Sequence, residues 1–291
     1  MSRRRNQWTG LCYMAPALAF VAAFVLWPLC HLIWLSFTSQ SLLGGGDFIG
    51  FDNYIRAFAD KNFWKAMTFT LTYTAYLTPV LLVLNLALAL LTAGNTPLRQ
   101  LTRTVVFLPV VIGLASSSLL WYWLFDQQVG LFNKLLVDVG ILHEPLIWMR
   151  KSATGQLAVM ISVVWKVVGF GMILMVAGIQ AIGNDVIEAS RIDGASAFLR
   201  VRRIIIPLAA RSILLATLIS AIGSMLAFDQ FYLMTGGGPR GQTFTTVYWI
   251  YQNSFIRFEL GYGSALSVIL MVIITSGTAL QLWLTRKGTR P

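Results

Sequence analysis

The feature that most limits the fold of this chain is a series of six apolar segments, each longer than a soluble core helix requires. We place them near residues 11–37, 66–93, 104–125, 156–180, 211–235 and 262–284. About 20 apolar residues are enough for a helix to cross a bilayer. The chain is 57% hydrophobic and only 11% charged, whereas a soluble domain is about 25% charged. The sequence therefore predicts an all-α membrane protein with six transmembrane helices.

The start of the chain predicts a retained first span rather than a cleaved signal peptide. Arg3, Arg4 and Arg5 precede an apolar run that continues to about Phe37, whereas the apolar part of a signal peptide has only about 7–15 residues. We therefore assign residues 1–10 to a cytoplasmic N-terminus. Residues 11–291 are expected to form a single transmembrane domain with one large cytoplasmic loop.

The distribution of positive charge predicts that both termini lie in the cytoplasm. The chain has 22 Lys and Arg against 11 Asp and Glu, a net charge of +11. On a soluble protein this excess would suggest a nucleic-acid or acidic partner. Here the charges lie between the spans, and placing the N-terminus inside puts most Lys and Arg on the cytoplasmic side, as the positive-inside rule requires. We expect no nucleic-acid partner.

The large cytoplasmic loop, residues 181–210, predicts two short helices that meet at a glycine. Asp185, with a glutamate three residues later, is a helix-start signal, and Gly194 is a typical helix stop. A second helix over about 196–206 then ends before Pro207. Two interpretations fit this pattern. The loop is either a knob that inserts into a groove on a soluble partner or an amphipathic connector that lies on the membrane surface.

The same loop resembles the EAA motif of the permease subunits of ATP-binding-cassette importers. That motif reads Glu-Ala-Ala, three residues, Gly, nine residues, Ile, any residue, Leu-Pro. The residues that match its spacing are Glu188, Ala189, Ser190, Gly194, Ile204, Ile206 and Pro207. Ser190 replaces the second alanine and Ile206 replaces the leucine, and both changes conserve size. Further segments resemble the carbohydrate-uptake branch of this family along the whole chain: 27–28, 48–54, 107–109, 121–125, 130–133, 165–170, 228–229, 235–239 and 261–265.

The resemblance implies a type I ABC importer permease fold in a bacterial inner membrane and the partners of such an importer. These partners are a second permease subunit in a heterodimer, an ATPase dimer in the cytoplasm and a solute-binding protein that delivers a sugar or sugar-like solute. ATP and Mg²⁺ would be bound by the ATPase, so this chain is expected to be no enzyme and to hold no cofactor. The residues implied to couple it to the ATPase are Glu188, Ala189, Ser190, Asp193, Gly194 and Pro207.

The sequence lacks the motifs of the alternative functions. It has no Gly-x-x-x-x-Gly-Lys-Ser/Thr phosphate loop, so it does not bind ATP by that route. Its two histidines are far apart and predict no metal site. A self-contained secondary transporter usually shows internal repeats, and none is visible here. A membrane enzyme would need a cluster of His, Asp or Glu at one depth, which the sequence also lacks.

Five residues within the predicted spans are candidates for the substrate pathway: Asn85, Trp165, Lys166, Asp229 and Gln230. A charge at the centre of a membrane helix costs about 2.5–3.5 kcal/mol on insertion scales, so such residues usually face a cavity or a partner. Lys166 and Asp229 either pair with each other or line the path, and Lys166 has the further option of reaching outward to water. Asn85 also fits an interhelical hydrogen bond, and Trp165 also fits an interfacial anchor.

Overall fold

The computed structural model describes residues 13–288. Its first half contains the helices α1 Tyr13–Leu35, α2 Asp52–Ala59, α3 Lys61–Thr92, α4 Pro97–Val111, α5 Leu114–Leu124 and α6 Leu131–Asp138. Its second half contains α7 Ser152–Gln180, α8 Asn184–Ile192, α9 Ala197–Leu208, α10 Ala210–Met225, α11 Thr246–Tyr251 and α12 Leu260–Gly288. The described residues form no β-strand, and a single bridge pairs Thr38 with Phe48. The all-α prediction is confirmed.

The helices that are long and apolar enough to cross a membrane unbroken are α1, α3, α7 and α12 up to Trp283. Two further pairs reach this length only together: α4 with α5, bent by 98°, and α9 with α10, bent by 75°. By length and composition the described chain therefore has four spans, or up to six if each bent pair is one span.

The bend between α4 and α5 falls within the third predicted span, residues 104–125. Pro109 lies in the last turn of α4 and has no backbone N–H to continue the helix. Ile112 and Gly113 then adopt extended conformations before α5 begins. The fifth predicted span, residues 211–235, is also interrupted, because α10 ends at Met225 and a π-helical turn follows at Phe231–Thr235.

The described chain groups into two compact units. One contains the chain up to Lys61 together with Trp249–Ile273, and the other contains Asn62–Tyr248 and the chain from Ile274 onward. In the second unit α7 lies against both α4 and α10. Gly169 of α7 allows this close approach, because a Cβ atom there would lie 2.4 Å from the backbone oxygen of Val106.

The first unit is held by polar contacts in the loops that follow and precede its membrane helices. The side-chain amide of Asn53, which is buried, donates to the carbonyl oxygens of Ser36 and Thr38 at 2.9 and 2.8 Å. Elsewhere in this unit the Tyr262 hydroxyl donates to the Asp60 carboxylate at 2.8 Å. The two bonds from Asn53 satisfy backbone carbonyl groups that lie outside regular secondary structure, so they order the segment that follows α1.

Candidate functional site

The loop of residues 181–210 forms a rigid elbow, which we define as α8, Gly194 and α9. Gly194 adopts a left-handed conformation with φ of +74°. Its N–H donates to the oxygen of Arg191, and the N–H of Ala195 donates to the oxygen of Ser190, both at 3.0 Å. This pair of bonds is a Schellman motif, which closes a helix C-terminus by satisfying its free carbonyl groups. Ser196 then caps α9 by accepting a hydrogen bond from the N–H of Leu199.

The start of the elbow differs from the sequence prediction. The residue that precedes α8 is Gly183, and no side chain caps the helix. Asp185 lies inside the first turn instead, where its charge interacts favourably with the positive end of the helix dipole. The second helix begins at Ala197 and continues to Leu208, so Pro207, which is exposed, lies within its last turn.

The predicted coupling residues lie together on the elbow, and most of them are exposed. Glu188, Ala189, Asp193 and Gly194 are exposed, whereas Ser190 is buried and its hydroxyl donates to the oxygen of Ile187 at 2.6 Å. Large apolar side chains are exposed beside them: Ile192 is 87% exposed and Phe198 is 73% exposed. Exposed apolar groups on a rigid, otherwise polar protrusion are typical of a contact surface for another molecule.

A cavity of about 480 Å³ lies within the second unit, where two interruptions of the backbone meet. Its wall includes Ile112 and Leu114, which flank the break between α4 and α5. It also includes the segment 226–230, which follows the end of α10. Backbone without regular helical bonding is tolerated at membrane depth only where it is buried in protein or lines a water-filled cavity. Both interruptions are therefore explained by the cavity that they border.

Three of the predicted pathway residues, Lys166, Asp229 and Gln230, line this cavity. Asp229 and Gln230 lie at the start of the turn that follows the interruption after α10, and Gln230 is buried. Among the described residues no ion pair joins Asp229 to Lys166. The Lys166 ammonium group donates instead to the carbonyl oxygens of Pro109 and Val110 at 3.0 and 2.8 Å. Of the alternatives that the sequence left open, the pairing of Lys166 with Asp229 is therefore not formed in the described structure.

The other two predicted residues, Asn85 and Trp165, do not belong to the cavity wall. Asn85 is buried against Gly171, where a Cβ atom would lie 2.0 Å from the Asn85 amide nitrogen. Its side-chain oxygen accepts no hydrogen bond from any residue that the structure describes. Trp165 packs edge-on against Trp121 with ring centroids 5.6 Å apart. It lies about 100° around α7 from Lys166, because successive residues of a helix are rotated by that angle. Trp165 therefore belongs to a different face of the helix.

Helical spacing identifies wall residues that the sequence analysis missed. Phe170 lies four residues after Lys166, on the same face of α7, and it lines the cavity. Tyr73 of α3 also lines it, and its hydroxyl is buried without a hydrogen-bond partner in the described structure. No sequence pattern singled out Tyr73, because the apolar residues of α3 are spread around the helix and do not reveal which face meets the cavity.

Comparisons with solved structures show the same fold. The chain superimposes on a chain of a bacterial ABC transporter involved in the import of the acidic polysaccharide alginate, with a TM-score of 0.86, 20% identity and 98% coverage of both chains. A second structure, of a bacterial alginate transporter in complex with an alginate pentasaccharide-bound periplasmic protein, has a TM-score of 0.85 at 19% identity and covers 98% of this chain and 96% of the other.

Curated proteins and a protein family match the sequence over nearly its whole length. The SmoG permease protein of a sulfoquinovosyl glycerol transport system, from Agrobacterium fabrum, is 33% identical and covers 94% of this chain and 89% of its own. The MalF permease protein of a trehalose/maltose transport system, from Thermococcus litoralis, is 30% identical over 94% and 92% of the two chains. The UgpA permease protein of an sn-glycerol-3-phosphate transport system, from Brucella abortus, is 32% identical over 92% and 91%. Because the family model described as a binding-protein-dependent transport system inner membrane component matches residues 8–290, this chain belongs to that family.

Proposed function

We propose that this chain is a membrane-spanning subunit of an ATP-driven importer for a sugar or sugar-like solute. In this proposal it receives the solute from a solute-binding protein and uses ATP that is hydrolysed on a separate subunit. The observation that carries the proposal is the elbow of α8, Gly194 and α9, which presents the EAA-like residues on a rigid, exposed protrusion.

The elbow has the properties of a mechanical contact with a soluble partner. The Schellman bonds at Gly194 fix the connection to the end of α8. The Arg200 guanidinium of α9 also donates to the oxygen of Ala195 in that connection at 2.7 Å. Ile192 and Phe198 would lose their exposed apolar surface on binding, which stabilises a complex by about 25 cal/mol for each Å² removed from water. A rigid protrusion seated in an ATPase groove moves with that groove, so it can transmit nucleotide-driven motion to the spans.

The cavity is suited to a polyhydroxylated solute. Its volume of about 480 Å³ lies within the range of about 300–1,000 Å³ for small-molecule sites. The Asp229 carboxylate, the Gln230 amide and the Tyr73 hydroxyl can exchange hydrogen bonds with sugar hydroxyl groups, and Phe170 and Phe228 offer apolar ring surface. The relatives are named as permeases for sulfoquinovosyl glycerol, trehalose or maltose, and glycerol phosphate, which supports a sugar-like solute.

The remaining parts of the proposal concern topology and partners. A second permease subunit completes a heterodimer, and an ATPase dimer binds ATP and Mg²⁺, so this chain needs no cofactor of its own. Both termini lie in the cytoplasm, which requires an even number of spans. The charge asymmetry supports this orientation, because it puts the basic residues of α9, including Arg202 and Arg203, on the cytoplasmic side.

The test of this function compares two exposed glutamates on predicted opposite sides of the membrane. The importer is reconstituted from this chain, its neighbouring permease, the ATPase and the solute-binding protein. We expect Glu188→Ala to lower ATPase co-purification and ATP-driven uptake by about tenfold, the effect of losing an interface residue worth about 1.4 kcal/mol. The matched control Glu144→Ala lies between α6 and α7. It should leave ATPase co-purification and uptake unchanged. Equal ATPase binding by the two variants would contradict the docking role of the elbow.

A further inference from the structure

The break between α4 and α5 leaves backbone carbonyl groups without helical partners. The last four carbonyl groups of any helix have no N–H four residues ahead of them in the same helix. At the end of α4 the N–H of Ile112 reaches only the oxygen of Pro109, at 3.2 Å. An unsatisfied carbonyl in the hydrocarbon region costs several kcal/mol. A span broken at this depth therefore needs a donor from another element.

Lys166 of α7 provides that donor. Its ammonium nitrogen lies 3.0 Å from the oxygen of Pro109 and 2.8 Å from the oxygen of Val110, and the side chain is only 6% exposed. The positive charge also lies at the negative end of the α4 dipole, where a cation is stabilised. The close packing of α7 on α4 at Gly169 brings the lysine within reach of these groups.

Two alternative roles of this lysine do not fit its contacts. A lysine that reaches outward along its stem keeps its charged end in water, whereas this ammonium is held by two carbonyl groups of a neighbouring helix. A lysine that binds solute directly would present free N–H groups to the cavity, but at least two of its three donors are already used here. The contacts are those of a group that stabilises protein backbone.

We infer that Lys166 is a positioning residue that holds α4 and α5 in their bent arrangement and thereby shapes the wall of the cavity. The residues that flank the break, Ile112 and Leu114, line that wall together with Lys166 itself. Loss of the ammonium group leaves the Val110 carbonyl without this donor and the Pro109 carbonyl with only the N–H of Ile112. It therefore favours a straighter helix through Gly113, which displaces the wall. The inference rests on the proposed function only in treating the cavity as the solute's passage.

The bend is measured with a pair of spin labels at Leu101 and Leu119, which are exposed on α4 and α5. The full-length chain is placed in lipid nanodiscs with its two native cysteines replaced. A straight helix would separate the two positions by about 27 Å at 1.5 Å per residue. With a bend of 98° the same rise gives about 18 Å. Pulsed electron paramagnetic resonance resolves a shift of this size.

We expect Lys166→Met to lengthen the label distance toward the straight value, by up to about 9 Å, and to reduce uptake by the reconstituted importer at least tenfold. Lys166→Arg keeps the charge and the donors and should restore the short distance and most of the uptake. The control Lys134→Met, on the exposed surface of α6, should change neither. If Lys166→Met does not reach the membrane, Lys166→Gln is measured in its place with the same criteria.

Two results would overturn the inference. One is an unchanged label distance in the neutral variant with normal uptake, and the other is an unchanged distance with lost uptake, which would make the lysine a solute ligand. The distance measurement needs no partner protein. If the wild-type importer carried no solute while the label distances shifted as expected, the proposed function would fail and the role of Lys166 in the bend would stand.

Discussion

The conformation of Gly194 leads to a prediction that two alanine substitutions can test. Gly194 and Gly183 both border α8, and a Cβ atom added at either would meet no atom within 4 Å. Their backbones differ, because φ is +74° at Gly194 and −57° at Gly183. Gly194→Ala and Gly183→Ala therefore add the same methyl group to open space, and only the first forces an L-residue into a left-handed conformation.

The expected loss of elbow stability in Gly194→Ala is the difference between two opposing contributions. Placing a Cβ atom in the left-handed region costs about 1–2 kcal/mol. Alanine also restricts the unfolded chain, which stabilises the folded state by about 0.4–1 kcal/mol. The net destabilisation of the elbow by Gly194→Ala is then about 1 kcal/mol. This is about a fivefold change in the equilibrium between the elbow with its Schellman bonds formed and the elbow with these bonds broken. For Gly183→Ala we expect a change close to zero, because its backbone conformation suits any residue and the gain of about 0.4–1 kcal/mol from the unfolded chain is offset by the loss of a glycine at the N-cap position of α8, where alanine is less favourable.

Hydrogen exchange measured by mass spectrometry on the full chain in nanodiscs reports this difference. The amide groups of Gly194 and Ala195 make the Schellman bonds, so their exchange should become about fivefold faster in Gly194→Ala. Gly194→Asn should lie between this variant and the wild type, because asparagine tolerates the left-handed region better than alanine does. Equal exchange rates in Gly194→Ala and Gly183→Ala would refute the reasoning about the strained elbow.

Three further predictions concern the cavity and the segment between α5 and α7. Tyr73→Phe removes a buried hydroxyl that has no partner in the described structure, so thermal stability should be unchanged or slightly higher. Because this hydroxyl is proposed to bind solute, the half-saturating solute concentration for uptake should rise several-fold, and an unchanged value would contradict that role. Asn133→Ala should lower stability by about 3 kcal/mol, measured by thermal unfolding in detergent, because the Asn133 side-chain oxygen accepts from the Trp148 indole and from the N–H of Leu146 at 3.1 Å each. The pKa of the partly exposed Asp126 carboxyl is lowered by hydrogen bonds from the backbone N–H groups of Val129 and then Gln128. Its stabilising effect should therefore be complete above the ordinary aspartate pKa and be lost as the pH falls through the lowered value, whereas Asp126→Asn should abolish that acid-range loss; an identical acid-unfolding profile for the two proteins would contradict it.

The sequence alone was sufficient for the fold class and for the glycine bend of the elbow, and both rest on local information. Long apolar segments predict membrane helices because each helix satisfies its own backbone groups. Gly194 predicts the end of α8 because its left-handed conformation depends on the residue itself and its neighbours in sequence.

The tertiary structure alone decided which membrane residues meet at the cavity and which spans break. Lys166 and Trp165 are neighbours in sequence, but only Lys166 lies on the face of α7 that borders the cavity. Its bonds to Pro109 and Val110 join residues 57 and 56 positions apart in the chain. In apolar helices the pattern of side chains does not distinguish lipid from protein neighbours, so the orientation of each helix depends on close approaches such as that at Gly169. For the same physical reason the 98° bend between α4 and α5 depends on a donor that another helix supplies.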